Sequence, residues 1–403
     1  MAHTNEVWVT GVGLVSSLGE DTAAHIAHFT GGGCHPVVDV QRYEPYCVHP
    51  LLPLDYSKQI PKKSDQKQME SWQRVGVYAA GLALADAGIA RRAELLDHTD
   101  LVVAAGSGER DINVDCEVLD KLSQSEDSTV LAKEVLPSAL RPTLFLAQLS
   151  NMLAGNISIV HGVTGSSRTF MGEEMAGLAA VENAVARISA GQADLVLVGG
   201  ALNAEREDLL LGYELGHNLW RGPFAPVWDR RHGGGGFIAG SVGAFLVLES
   251  RAHAEARSTL PYARVAGVAT DCCGRAAGEV TSTLIQLFER LRTKTPKGSL
   301  PVLSGASGVE PTTSEEMGFL DCLPAYGIEP IVRAYGSLLG HSVEAHFPAG
   351  LALAALAARH GALPSVFECS GIERPFAGAA DRVLVTAAGH WRGEGLALVE
   401  AIA

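Results

Sequence analysis

The chain is punctuated by short, largely apolar runs that end in glycine or lead into a helix-periodic segment. Val7-Trp8-Val9-Thr10-Gly11-Val12-Gly13, Leu101-Val102-Val103-Ala104-Ala105-Gly106 and Leu195-Val196-Leu197-Val198-Gly199-Gly200 set the pattern. Ala244–Glu249, Tyr262–Ala269, Leu300–Leu303, Val383–Ala388 and residues 395–401 repeat it. A strand wetted on one face alternates polar and apolar residues, whereas a strand apolar throughout is covered on both faces. Helical stretches are expected between these runs, at about 69–88, 175–190, 250–257, 279–291 and 342–358. The first carries Trp72, Val75, Tyr78 and Leu82 at helical spacing and closes on Gly88 as a C-cap. This alternation predicts an α/β protein with parallel sheets between helical layers. The expected organisation is two such halves, residues 1–255 and 256–403, with segments 30–65 and 107–140 as irregular surface excursions.

Composition narrows the partners. Hydrophobic residues make up 47% and charged residues 19% of the 403, which excludes a disordered chain. A net charge of −14 argues against nucleic acid and against an anionic membrane surface. No apolar run is long enough to span a membrane, and the first residues lack a signal-peptide pattern. Seven cysteines (Cys34, Cys47, Cys116, Cys272, Cys273, Cys322 and Cys369) form no CxxC pair. They suggest no zinc site or disulfide framework, but reduced, mostly buried thiols and a cytoplasmic location. The run Gly233–Gly236 lacks the Lys-Ser/Thr ending of a phosphate loop and reads as a tight turn. Lys58, Lys62, Lys63 and Lys67 read as a solvated patch.

Four segments together resemble the β-ketoacyl-acyl carrier protein synthase family: Val9–Gly19 (VTGVGLVSSLG), Gly81–Ile89 (GLALADAGI), Gly191–Ala204 (GQADLVLVGGALNA) and Pro223–Ser258, which contains DRRHGGGGF. They occur in the family's order and span much of the chain. The resemblance implies a thiolase-like, duplicated five-layer α-β-α-β-α fold. It also implies a dimer paired through a strand near Ser166–Phe170 and an active site between the halves.

A condensing member needs a cysteine at a helix N-terminus, where the dipole and backbone amides lower the thiol pKa and stabilise an oxyanion. It also uses two histidines on the malonyl thioester carbonyl and an ordering lysine. Counted without gaps from Gly191-Gln192-Ala193-Asp194, the nucleophile position holds Glu174, with Gly177 matching the glycine three residues on. Ser304 stands at the first histidine position and His341, in Gly340-His341, at the second. Gly336 replaces the lysine, and His390 replaces a gating phenylalanine. A register anchored on Gly336 would instead put Ser337 at the second histidine position.

A carboxylate cannot stand in for the thiolate, because the mixed anhydride is too labile to hold a growing chain. The resemblance therefore implies a chain-length-factor-like subunit that does not condense by itself. Such a subunit pairs with an active ketosynthase as a heterodimer in fatty acid, polyketide or aryl polyene elongation. It works with an acyl carrier protein whose phosphopantetheine-linked acyl group is the substrate, and no cofactor or metal of its own is expected. Three alternatives remain: a malonyl-carrier decarboxylase using Glu174 and His341, a homodimeric 3-oxoacyl-carrier synthase with a relocated nucleophile, and a scaffold without acyl chemistry. For Glu174 itself the ordinary role is a cap, since an anion at a helix N-terminus gains about 0.3–1 kcal/mol.

Overall fold

The computed structural model describes residues 5–30, 35–124, 129, 131–140, 142–366, 368 and 370–402. Its strands are β1 (Val7–Val15), β2 (Val48–His49), β3 (Asp100–Ala105), β4 (Ser167–Met171), β5 (Leu195–Leu202), β6 (Ala239–Gly240), β7 (Val242–Ser250), β8 (Ala263–Asp271), β9 (Gly298–Ser304), β10 (Ile328–Ala334), β11 (Arg382–Ala388) and β12 (Glu394–Glu400). Ten of them form one sheet in the order β10-β9-β11-β12-β8-β1-β7-β5-β3-β4. The order mirrors itself about the β8–β1 seam. Moving outward on either side, the pairs are antiparallel, antiparallel, parallel, parallel.

Each apolar run divides its residues between two cores. On β3, Leu101, Val103 and Ala105 face the helix Ser71–Asp86, while Val102 and Ala104 face the molecular centre. On β7, Phe245 and Val247 face outward and Leu246 and Leu248 inward. In the second half, Leu384 on β11 packs outward with Leu284, Leu287 and Phe288 of the helix Glu279–Leu291, and Val383 and Val385 pack inward. The central layer is formed by the helices Glu173–Ser189 and His346–His360. Every residue from His346 to Ala358 is buried. The two wings of this sheet, on either side of the β8–β1 seam, flank the central helices, and with the outer helices on their far faces they give the five thiolase-like layers.

Several expectations need correction. The sheet is mixed, because β1, β7, β8 and β12 run antiparallel to their neighbours. Burial on both faces, rather than strand direction, makes a run apolar throughout. Segment 107–140 contains the helix Ile112–Gln124, whose apolar residues Ile112, Cys116, Leu119 and Leu122 recur at helical spacing although none of them is buried. Strand β10 escaped notice because Glu329, Pro330 and Arg333 interrupt it. Arg333 is buried there with its guanidinium donating to the carbonyls of Val332, Pro364 and Arg374. Among the described cysteines only Cys47 is buried, whereas Cys116 and Cys272 are exposed; Cys34 and Cys369 lie outside the described residues. Among the described residues no helix is long and apolar enough to cross a membrane.

Candidate functional site

Two backbone devices place Glu174. After β4 the chain turns through Gly172 (φ +119°) and Glu173 (φ +52°), both in the left-handed region. A side chain there costs about 1–2 kcal/mol, so the turn is held by its surroundings. The helix Glu173–Ser189 then begins with Glu174 pointing inward, 3% exposed. His341 comes from the other half, fixed by backbone pairing to the segment that includes β6. Its N–H donates to the Ile238 carbonyl at 2.8 Å, and the Gly240 N–H donates to its carbonyl at 3.0 Å. The chains approach so closely that a Cβ on Gly240 would lie 1.8 Å from the Leu339 carbonyl oxygen. Gly240→Ala should therefore cost about 1–3 kcal/mol by overpacking and draw His341 away from Glu174. A denaturation curve superimposable on the parent's would contradict this packing.

The third member is His390, on the loop between β11 and β12. Gly389 N–H donates to the Gly393 carbonyl at 2.8 Å, and Arg275 donates to the Gly389 carbonyl at 2.5 Å. His341 Nε2 and His390 Nδ1 each donate to the same oxygen, Glu174 Oε1, at 2.7 Å. The His390 backbone N–H adds a longer bond of 3.3 Å to that oxygen. His390 Nε2 lies 3.6 Å from Glu173 Oε2. The donor atoms of Glu174, His341 and His390 all fall within 4.8 Å of one another.

The charges follow from this geometry. Burial by itself would raise the Glu174 pKa, but the His390 charge and the two imidazole hydrogen bonds together hold it well below the usual range. Burial would lower His390, yet the Glu174 carboxylate outweighs it and raises it. His341 is lowered, chiefly by burial. Together these make an ionised Glu174 against a protonated His390, with a neutral His341 donating through Nε2. His346 packs against His341 with ring centroids 4.4 Å apart and the ring planes tilted by 59°, and burial pushes its pKa well down. Burial also pushes Glu344 up to about 7.

A cavity of about 400 Å³ opens beside the cluster. Its walls include His390, Glu173, Glu344, Tyr213, Arg206 and Trp391, with Gly106–Gly108 opposite. Its lining is mixed: Arg206 and Asp208 pair within it and burial raises the Tyr213 phenol, while Trp72, Leu202 and Leu209 supply apolar wall.

The structure thus brings together Glu174 and His341, which were nominated from the sequence, and adds His390 as a direct partner. Ser304 does not join them. Its hydroxyl donates to Glu316 Oε1 at 2.5 Å, an oxygen that Thr386 also reaches at 2.5 Å. Ser337 instead accepts from the Val227 N–H at 2.8 Å, so His341 is the residue that meets Glu174. At Gly336 a Cβ would lie 3.5 Å from His346 Cε1, so His346 stands in front of the position where the family carries lysine. Glu344 and His346 were missed, because neither occupies a motif position and both act only through contacts made by folding.

Comparison with known proteins identifies the family. The model of the beta-ketoacyl synthase N-terminal domain matches residues 4–254. A 3-oxoacyl-[acyl-carrier-protein] synthase 2 from Vibrio cholerae is 26% identical over 270 residues, covering 65% of this chain and 62% of that protein. The chain thus spans a little under two thirds of that curated relative. Among solved structures, the ishigamide ketosynthase/chain length factor aligns with a TM-score of 0.79 at 21% identity, covering 99% of this chain and 100% of that one. The type II polyketide ketosynthase complex AntDE:AntF aligns with a TM-score of 0.73 at 16% identity, covering 99% and 100%. With the family model covering more than half of the chain, and the mirrored sheet placing a helix N-terminus against residues of the other half, the protein belongs to the beta-ketoacyl synthase family.

Proposed function

We propose that this chain is a non-condensing ketosynthase-like subunit, akin to a chain-length factor. In this reading it pairs with an active β-ketoacyl synthase in the cytoplasm and shapes the acyl chain that the partner elongates on an acyl carrier protein. The observation that carries the reading is Glu174, clamped by His341 and His390 where a condensing enzyme needs a free thiolate. An ionised carboxylate there neither attacks a thioester nor leaves room for an acyl-enzyme. It also repels the carboxylate of a malonyl group, which disfavours the decarboxylase alternative.

The pairing surface has support of its own. Strand β4 is the last strand of the sheet, and Ser167, Arg168 and Met171 on it are exposed. Ile159, on the helix Met152–His161 beside it, is 71% exposed and Met171 is 64% exposed. An uncovered edge strand with apolar neighbours invites pairing by another chain. The division into halves 1–255 and 256–403 belongs to the same proposal, with the site where they meet.

Co-expression with a ketosynthase that retains its cysteine tests the reading. The two chains should co-purify, Met171→Glu should separate them, and acyl groups from acyl-carrier protein should label only the partner. A chain that remains a homodimer beside that partner, or that becomes acylated itself, would end the proposal.

A further inference from the structure

We infer that Glu174, His341 and His390 form a binding site for one divalent transition-metal ion of the zinc class. The inference goes beyond the subunit role, and the two fail separately, because ion binding needs no partner chain and partner capture needs no ion.

The donor set is the first argument. Two imidazoles and one carboxylate, each offering one atom within 4.8 Å of the others, match the ligands of three-coordinate protein sites that leave a position open. All three side chains are at most 4% exposed, so the pocket is shaped and shielded. They come from three separated elements: a helix N-terminus, the Gly340-His341 segment and the β11–β12 loop. Folding therefore preorganises the set.

The second argument is what hydrogen bonding leaves over. Both imidazoles spend a proton on the same oxygen, Glu174 Oε1. Glu174 Oε2 is buried without a hydrogen-bond partner. Glu344, 5% exposed on the wall of the adjoining cavity, also has an unpartnered oxygen, Oε2. Unmet buried polar atoms of this kind are costly, and several in one place ask for a ligand.

The third argument is the surrounding shell. With its Nδ1 lone pair on the ion, His390 keeps its proton on Nε2, which faces Glu173 Oε2 at 3.6 Å. A carboxylate behind a ligating imidazole fixes its tautomer and ring orientation. Binding balances as follows. The His390 imidazolium releases its Nδ1 proton to solvent, the His341 proton moves from Nε2 to Nδ1, and Glu174 binds as the anion it already is. The remaining coordination position, on the side of the cavity that His390 lines, takes water.

The test uses the full chain, freed of metal by a chelator and desalted. Zinc chloride, cobalt chloride and magnesium chloride are then titrated separately. Zinc and cobalt should bind at about one ion per chain and magnesium should not, since imidazole donors suit zinc-class ions. The cobalt form should show visible ligand-field bands of a four-coordinate site. His390→Phe should weaken zinc binding by about a hundredfold or more, and Glu174→Gln should weaken it while circular dichroism shows that the fold is kept. The inference is overturned by a chain that retains no zinc after gel filtration. It is equally overturned by magnesium binding as tightly as zinc, or by unchanged stoichiometric zinc binding in both variants.

Discussion

Replacing Glu174 with alanine in the metal-free chain should lower folding stability by about 3–5 kcal/mol at neutral pH, the cost of breaking a buried ion pair from one side. The carboxylate holds a protonated His390 and a neutral His341 on one oxygen, and all three side chains are buried. Alanine removes the acceptor and leaves two imidazole N–H groups unmet, one of them charged. The anion's favourable place at the helix N-terminus is lost as well. Glu174→Gln should lose less, because the amide oxygen keeps one hydrogen bond while the charge disappears. Urea denaturation of the parent and both variants measures the ordering. A loss in the alanine variant below about 1 kcal/mol would mean that the cluster behaves like an exposed pair.

The second large effect concerns acidity. Folded Glu344 holds its proton up to about 7, whereas the same carboxyl in the unfolded chain releases it near 4.5. Between those values the folded state binds more protons than the unfolded state, so stability falls as pH rises. The gap of about two and a half pH units amounts to about 3 kcal/mol lost by pH 8 from this group. The charged groups facing it are Glu174 and Glu173, which oppose its ionisation, and Arg206, which favours it. Glu344→Gln keeps the shape and removes the titration. Its advantage over the parent should be small at pH 4.5 and should grow steadily toward pH 8. Parallel stability–pH curves for the two chains would refute the assignment.

What could be read from residue order alone was the part governed by local pattern. The two-sided strands, their glycine ends and the helix Glu279–Leu291 follow from period and burial, and the structure returns that helix with the expected bounds. Glu174 could be counted back from Gly191 because the helix Glu173–Ser189 fills nearly all of the interval between them. His390 could be named as a substitution, but its bond to a residue 216 positions away could not. Ser304 likewise carried no sign that Glu316 and Thr386 would absorb it. β10 hid because Glu329, Pro330 and Arg333 interrupt its apolar residues, and the Arg333 guanidinium is met by carbonyls of its neighbour Val332 and of the distant Pro364 and Arg374.

The helix His346–His360 has no watery side from His346 to Ala358. During synthesis the first half leaves the ribosome with its inner sheet face covered only in part, by the helix Glu173–Ser189, and the second central helix is complete only at residue 360. Until then roughly nine tenths of the protein must wait on a greasy, unfinished surface. A stalled or truncated product ending before this helix would therefore be a substrate for chaperones and proteases rather than a smaller working protein.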